Sequence, residues 1–258
     1  MNRNHKLDFF GIILLMLLGL SFYPVNAASA SIFTDVYQHK LIPSSDGIGK
    51  VYMGREISQV MGHRGAMWLE RPTRELQEKP SKIVNALDLK DTDVVADIGA
   101  GTGYMSFRIA PFVSDGKVFA VDIQPEMLDI IDFFKQETNI TNVEPILATV
   151  TNPNLSPESV DLALMVDAYH EFEYPREVME GIVKSLKPGG KAVLVEYRGE
   201  NPFIAIKRLH KMTQKQVKKE MQAVGLTWRE TKEILPLQHL MIFEKQATIN
   251  NQQLTINN

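Results

Sequence analysis

The chain has no cysteine, and that absence removes a group of chemistries at once. No disulfide can staple it, no thiolate can hold a metal, and no thiol can act as a nucleophile. A lipid-bearing cysteine at an export junction is excluded too. Compartment stays open, because a cysteine-free protein is stable in either redox setting. An excess of one charge is also missing: 28 Lys and Arg against 31 Asp and Glu give a formal net charge of -3. Nothing in that balance favours a nucleic-acid backbone or an anionic membrane surface, so no nucleic-acid partner is expected. What is present is ordinary for a folded protein: 258 residues, 44% hydrophobic and 23% charged, with 16 Gly and 13 Pro. A chain of this size can bury an adequate core without staples, and one α/β domain is the natural prior.

The two ends are set apart from the fold. Arg3 and Lys6 precede an apolar run from Phe9 to Tyr23, then Pro24 and the small-x-small pattern Ala28-Ser29-Ala30. That order reads as an export signal over residues 1–30. The run is shorter than the roughly 20 residues that span a bilayer as a helix. Uncleaved, it would instead attach the protein to a membrane through residues 9–23. The expected location is therefore exported, periplasmic or extracytoplasmic, or else membrane-anchored. Residues 246–258, ending ATINNQQLTINN, are polar and Asn/Gln-rich, with too little apolar surface to offset the entropy of ordering. They read as a disordered tail.

From about residue 80, helix-like and strand-like segments alternate. Short helices are expected over 80–87, 102–110, 125–136, 175–186 and 213–224. Strands are expected over 93–98, 117–122, 143–148, 160–166 and 192–197, with two late ones near 227–234 and 238–244 that pair antiparallel. Lys187-Pro188-Gly189-Gly190 reads as a helix stop. Buried strands alternating with helices specify a mostly parallel sheet covered on both faces, with ligands beyond the carboxyl ends of its strands. Residues 31–79 fit the alternation poorly. They are rich in Gly and charge around Trp68 and read as an N-terminal extension serving as a lid.

The strongest local signal is Asp97-Ile98-Gly99-Ala100-Gly101-Thr102-Gly103-Tyr104, three alternating glycines between a strand and a helix. Glycine lets the backbone turn sharply and admits close approach of a ligand. Asp122, at the tip of the next strand, is placed to accept hydrogen bonds from both ribose hydroxyls of an adenosine ligand. A dinucleotide loop would put a small residue at position 104, where Tyr104 stands, and Asp97 would repel a phosphate while suiting an amino group.

These residues resemble a family. VVADIGAGTGY matches the first motif of class I S-adenosylmethionine-dependent methyltransferases, VFAVDIQPEML the second, DLALMVDAYHEF the fourth, and LKPGGKAVLVEY the entry to the fifth strand. The resemblance covers about residues 80–245. It implies a three-layer Rossmann-like α/β fold whose seven-stranded sheet is mostly parallel with the last strand antiparallel. It also implies S-adenosyl-L-methionine as cofactor, held by Asp97, Gly99, Ala100, Gly101 and Gly103 at the methionine end, by Asp122 at the ribose, and by Ile123 and Met127 at the adenine. Where many members carry an acid after strand three, this chain has Ala148-Thr149-Val150-Thr151-Asn152, leaving Thr149 for a polar contact.

Methyl transfer from a sulfonium is an in-line displacement that needs alignment and exclusion of water. The stretch after strand four, Asp167 to Phe172, faces the reacting methyl on this reading. His170 is a candidate general base or a pocket-shaping residue. Tyr169 walls the pocket or packs, and Asp167 orients the methionine amino group or caps the next turn. Glu196, Arg198 and His210 after strand five, with His63 and Trp68 in the extension, are acceptor-side candidates whose plainer reading is a solvated surface. His63, His170 and His210 are too scattered along the chain to read as a metal site. A small-molecule acceptor is expected. Two other readings stand: a non-catalytic nucleoside-binding domain that kept the fold, and a nicotinamide-dependent oxidoreductase.

Overall fold

The computed structural model describes residues 36–246; the expected export segment, and the expected tail beyond Gln246, lie outside them. The extension is more regular than its composition foretells. Strands β1 (Tyr37–His39), β2 (Gly47–Tyr52) and β3 (Arg55–Ser58) form a small antiparallel sheet in that order. The β2–β3 turn is Met53-Gly54, both at positive φ, the backbone that a tight hairpin demands. Two single helical turns follow, Ala66–Leu69 and Arg74–Gln77.

The larger layer comprises α1 (Pro80–Ala86), β4 (Val94–Ile98), α2 (Tyr104–Ile109), β5 (Lys117–Asp122), α3 (Pro125–Thr138), β6 (Val143–Leu147), β7 (Val160–Val166), α4 (Pro175–Ser185), β8 (Leu186–Tyr197), α5 (Gln214–Ala223), β9 (Leu226–Lys232) and β10 (Gln238–Lys245). Three helices start on proline at the first position, where no N–H is needed. The sheet order is β6-β5-β4-β7-β8-β10-β9. Neighbours from β6 to β8 run parallel, and β10 lies antiparallel to both β8 and β9. This is the expected seven-stranded Rossmann-like sheet with its last strand reversed.

One boundary differs from expectation. Lys187-Pro188-Gly189-Gly190 does not merely end a helix; it is the opening of β8, with a register shift against β7. Gly189 takes φ 77, and a Cβ on Gly190 would sit 2.9 Å from the Lys187 carbonyl, so the chain turns within the strand.

Strand alternation divides the apolar residues between two cores. Val95, Leu162, Leu164, Val193, Val195 and Leu240 pack with Ile83 and Ile109 on one face. Ala96, Ala163, Met165, Leu194, Met241 and Phe243 pack with Met179, Ile182 and Met221 on the other. Both faces of the sheet are thus covered, and only the strand ends are left to make a site.

Buried ion pairs fasten the small sheet and the helical turns to this body. Arg55 donates to both carboxylate oxygens of Glu220, at 2.7 and 3.1 Å. Arg74 Nε donates to Glu78 at 2.8 Å, and the Tyr197 hydroxyl donates to the same carboxylate at 2.5 Å. No helix of the described residues is long and apolar enough to cross a membrane.

Phe243 is fully buried at the centre of β10, whereas Leu41 is fully exposed. Phe243→Ala is expected to cost about 3–5 kcal/mol of unfolding free energy. Leu41→Ala should change it by less than about 0.5 kcal/mol. Urea denaturation of the purified variants measures both.

Candidate functional site

The site begins where β4 ends. Gly99 N–H and Ala100 N–H both donate to the Val121 carbonyl, at 2.8 and 3.0 Å, so the turn hangs from the end of β5. Gly99, Gly101 and Gly103 all take positive φ, the region that only glycine enters freely. A Cβ on Gly99 would meet Ala168 at 2.7 Å, and one on Gly101 would meet Leu69 at 2.6 Å. Asp122 closes the corner: its Oδ2 accepts from Gly101 N–H at 2.8 Å and its Oδ1 from Gln124 N–H at 2.9 Å. Each oxygen keeps a second lone pair. Burial pushes the Asp122 carboxyl up from its ordinary value.

A cavity of about 560 Å³ opens beyond this corner. Its wall includes Gly99, Gly101, Asp122, Ile123, Met127, Thr149 and Asp167 from the expected cofactor set, together with His170, His210 and Trp68. The volume falls within the range of small-ligand pockets. The cavity has two chemically distinct ends. The end at the glycine turn carries Asp122 and Asp167. Asp167 takes φ 50 and accepts from the Gln238 amide at 2.6 Å, while its Oδ1 is buried without a partner. Burial holds its carboxyl well above the usual range, with the nearby Glu78 and Glu196 charges adding to the effect.

The other end is built on the single turn Tyr169–Glu171. His170 Nδ1 lies 2.6 Å from Glu196 Oε2, and His170 Nε2 lies 3.1 Å from His210 Nδ1. His210 Nε2 is 3.2 Å from Asp46 Oδ1. Glu171 Oε2 accepts from Met61 N–H at 3.0 Å, which aims Oε1 at the histidines. Beside Glu171, His210 is held above its ordinary pKa.

Several sequence expectations are corrected by this geometry. Tyr169 does not line the cavity: it is buried among the residues of one core face and donates its hydroxyl to Glu220 at 2.7 Å. Asp97 is likewise set back, accepting from Ser106 Oγ at 2.7 Å. Ala100 packs into the core, and Gly103 is required by packing, since a Cβ there would meet Phe107 at 2.8 Å. His63 is exposed on its own helical turn, its N–H donating to the Gln124 side chain at 2.8 Å. Arg198 turns to Glu233 and to the Leu235 carbonyl, at 3.0 Å for the latter, away from the cavity. Glu196 reaches the cavity only through His170. The expectation that the histidines are scattered fails for His170 and His210, which folding brings together, and stands for His63.

Asp46, Arg74, Gln124 and Tyr197 also line the wall; Gln124 and Tyr197 lie in strand-end stretches where the sequence places ligands, and only Asp46 and Arg74 escape it. Asp46 sits in an SSDG stretch that reads as a turn, and Arg74 in a charged segment without apolar periodicity. Neither carries a local signal, because each reaches the cavity only by the docking of the extension.

Residues 89–249 match a family described as "Methyltransferase domain". An uncharacterized methyltransferase, YcgJ, of Bacillus subtilis is 30% identical over 111 residues, 43% of this chain and 43% of that protein. A tRNA U34 carboxymethyltransferase of Desulfotalea psychrophila is 32% identical over 120 residues, 45% of this chain and 36% of its own length. The chain thus spans less than half the length of these curated relatives. A crystal structure of a SAM-dependent methyltransferase from Aquifex aeolicus superposes with a TM-score of 0.68 at 20% identity, covering 72% of this chain and 99% of that one.

Burial raises the Asp97 carboxyl to about 6, against a loss offset only in part by its Ser106 hydrogen bond. The folded state therefore binds the proton more tightly than the unfolded state, whose carboxyl titrates near 3.9. Stability from this group is complete below about pH 4 and is lost as pH rises through about 6. Relative to wild type, Asp97→Asn should gain stability across that window, by an amount on the order of 2–3 kcal/mol. Chemical denaturation at pH 4, 5, 6 and 7 reads the difference; a pH-independent difference would contradict the assignment.

Proposed function

The chain belongs to the methyltransferase-domain family, and on that premise we propose that its cavity transfers a methyl group from S-adenosylmethionine to a small-molecule acceptor. S-adenosylmethionine is the cofactor of this domain. When bound, it supplies a methyl group on a cationic sulfur, which becomes a neutral thioether once the methyl has left.

The residues present fit that group. Gly99 and Gly101 leave no room for a side chain and expose backbone to the cavity. Asp122 has two lone pairs free for the ribose hydroxyls, and Ile123, Met127 and Thr149 stand beside it for the adenine. The unpartnered Oδ1 of Asp167 is the observation that carries the reading. A buried carboxyl oxygen with no partner is costly until a hydrogen-bond donor comes to it, and the methionine ammonium supplies one. Asp97, one layer back, supports the turn through Ser106 and does not touch the ligand.

The acceptor takes the opposite end, between the Trp68–Leu69 turn and the histidine pair. Leu69 packs on Gly101, and Arg71 lies over the Trp68 ring at 3.7 Å, so the extension forms the roof. That enclosure supports a small molecule rather than a polymer, and it excludes water from a displacement that water would compete with. His170 and His210 face the acceptor's reacting atom, with Glu196 and Asp46 fixing the two rings. Arg198 and His63 take no part.

Residues 1–30 are read as an export signal, supported by Arg3, Lys6, the run from Phe9 to Tyr23 and Ala28-Ser29-Ala30. Sequencing the mature N-terminus should find Ser31 or Ala28; an intact Met1 in the membrane fraction would replace export with anchoring.

Calorimetric titration with S-adenosylmethionine should give one site per chain. Asp122→Ala and Asp167→Asn should each weaken it about 10–100-fold, the loss of hydrogen bonds to a charged group. Wild-type affinity in Asp122→Ala, or no binding to the wild type, would remove this reading. Turnover with methyl-labelled cofactor over a panel of small hydroxyl, amine and thiol acceptors should identify the acceptor class; transfer only to RNA or protein would remove the small-molecule part.

A further inference from the structure

The histidine end of the cavity carries an arrangement that methyl transfer by itself does not require. The Glu196 carboxylate accepts from His170 Nδ1, so the hydrogen of that ring sits on Nδ1 and Nε2 presents a lone pair. Asp46 does the same to His210 from the other side, accepting at Nε2 and leaving the lone pair on Nδ1. His170 Nε2 and His210 Nδ1 face each other at 3.1 Å, and with both rings neutral each turns a lone pair toward the other. Glu171 Oε1 completes a triangle, 3.8 Å from His170 Nε2 and 3.4 Å from His210 Nδ1. Three electron-rich atoms aimed at one point repel unless a cation lies between them.

The dimensions fit a metal ion. Tetrahedral zinc with ligands at about 2.0–2.1 Å places them about 3.3–3.4 Å apart. The three separations here, 3.1, 3.4 and 3.8 Å, bracket that value. Two histidines and one carboxylate with an open fourth position is the donor set of a catalytic site rather than a closed structural one. Each histidine already has an outer carboxylate on its far nitrogen, the arrangement that fixes metal-bearing imidazoles. Glu171 is fixed as well, through Met61 N–H on Oε2 at 3.0 Å. The His170 carbonyl accepts from Arg55 at 3.1 Å and from Ser58 Oγ at 3.3 Å, which pins the turn. The buried Oδ2 of Asp46 and Oε1 of Glu196 have no partner, while Asp46 Oδ1 also accepts from Lys207 Nζ at 2.8 Å.

We propose that His170, Glu171 and His210 bind one divalent transition-metal ion of the zinc class, with Glu196 and Asp46 as its outer carboxylates and the fourth position open to the acceptor. The binding itself is independent of the methyl-transfer reading; only the role of the open position rests on that reading. His239 is buried, with Glu200 2.8 Å from its Nε2 and Glu233 3.6 Å from its Nδ1 but no second histidine beside it, and it serves as the control site.

The untagged full chain, stripped with chelator, is titrated with Zn²⁺ by calorimetry and with Co²⁺ by visible absorption. The expected result is one ion per chain with a tetrahedral Co²⁺ spectrum displaced by Zn²⁺. His210→Gln and Glu171→Gln should abolish it, and Glu196→Gln should weaken it about 10–100-fold while leaving the three ligands in place. His239→Gln should leave it unchanged. Circular dichroism confirms that each variant is folded. Asp122→Ala should keep the metal while S-adenosylmethionine binding weakens about 10–100-fold, so failure of the metal site and failure of the cofactor reading give different results. Absence of metal binding, or binding that survives Glu171→Gln and His210→Gln but is lost in His239→Gln, would overturn the proposal, and the histidine pair would then be bridged by a proton alone.

Discussion

The turn after β4 carries one hydrogen bond of its own, Gly103 N–H to the Ala100 carbonyl at 3.0 Å, and is otherwise suspended from β5. Two of its amides donate to the Val121 carbonyl and a third to the Asp122 carboxylate. These bonds exist only because β4 and β5 lie side by side in parallel register, Ile98 opposite Val121. Positive φ at the three glycines follows from that geometry, as does the closeness of Ala168 and Leu69 to Gly99 and Gly101. A side chain at either position would be strained by the positive φ, and at Gly99 it would also run into Ala168. The cavity floor, the placing of Asp122 and the wall at Ile123 and Met127 are consequences of this one attachment.

Charge is distributed unevenly around the cavity. In the extension and its supports, buried cations meet buried anions: Arg55 with Glu220, and Arg71 and Arg74 with Glu78. Such pairs gain little net stability once desolvation is counted, but removing one partner is costly. They hold the small sheet and the helical turns in one place over the main body. The cavity itself is different. Asp167 and Asp46 line it with a carboxylate oxygen unpaired, and Glu196 has one just behind His170. The protein thus pairs its charges where it builds the roof and leaves carboxylate oxygens without a partner in and beside the cavity. One end is the place proposed for the cofactor's cationic groups, the other for a metal ion.

Both ends depend on the segment after β7, from Val166 to Phe172, which lines the cavity at Asp167, Ala168, His170, Glu171 and Phe172. Asp167 is forced to positive φ, and its N–H donates to the Val195 carbonyl at 2.8 Å. Strain of that kind persists where the surrounding structure fixes it. One short turn therefore carries the groups proposed for the cofactor's amino group and, three residues later, those proposed for the acceptor. Tyr169, between them, faces the core and anchors the turn through Glu220.

Local signals in the chain sufficed for the alternating elements, the parallel sheet with its reversed last strand, the glycine turn and Asp122. Each of these rests on short-range physics: strand and helix periodicity, the conformational freedom of glycine, and a carboxylate at the tip of the adjacent strand. The same reading placed Asp97, Ala100 and Gly103 against the ligand, because spacing along the chain does not reveal which way a side chain leaves a tight turn. It also missed the β1–β3 sheet, whose short strands carry little apolar alternation, and it set His170 and His210 apart because 40 residues separate them. Their meeting, and the arrival of Asp46 beside them, follow from the docking of the extension and of the segment after β8 onto the strand ends. Those contacts are made by side chains distant in sequence, so only the tertiary structure could decide them.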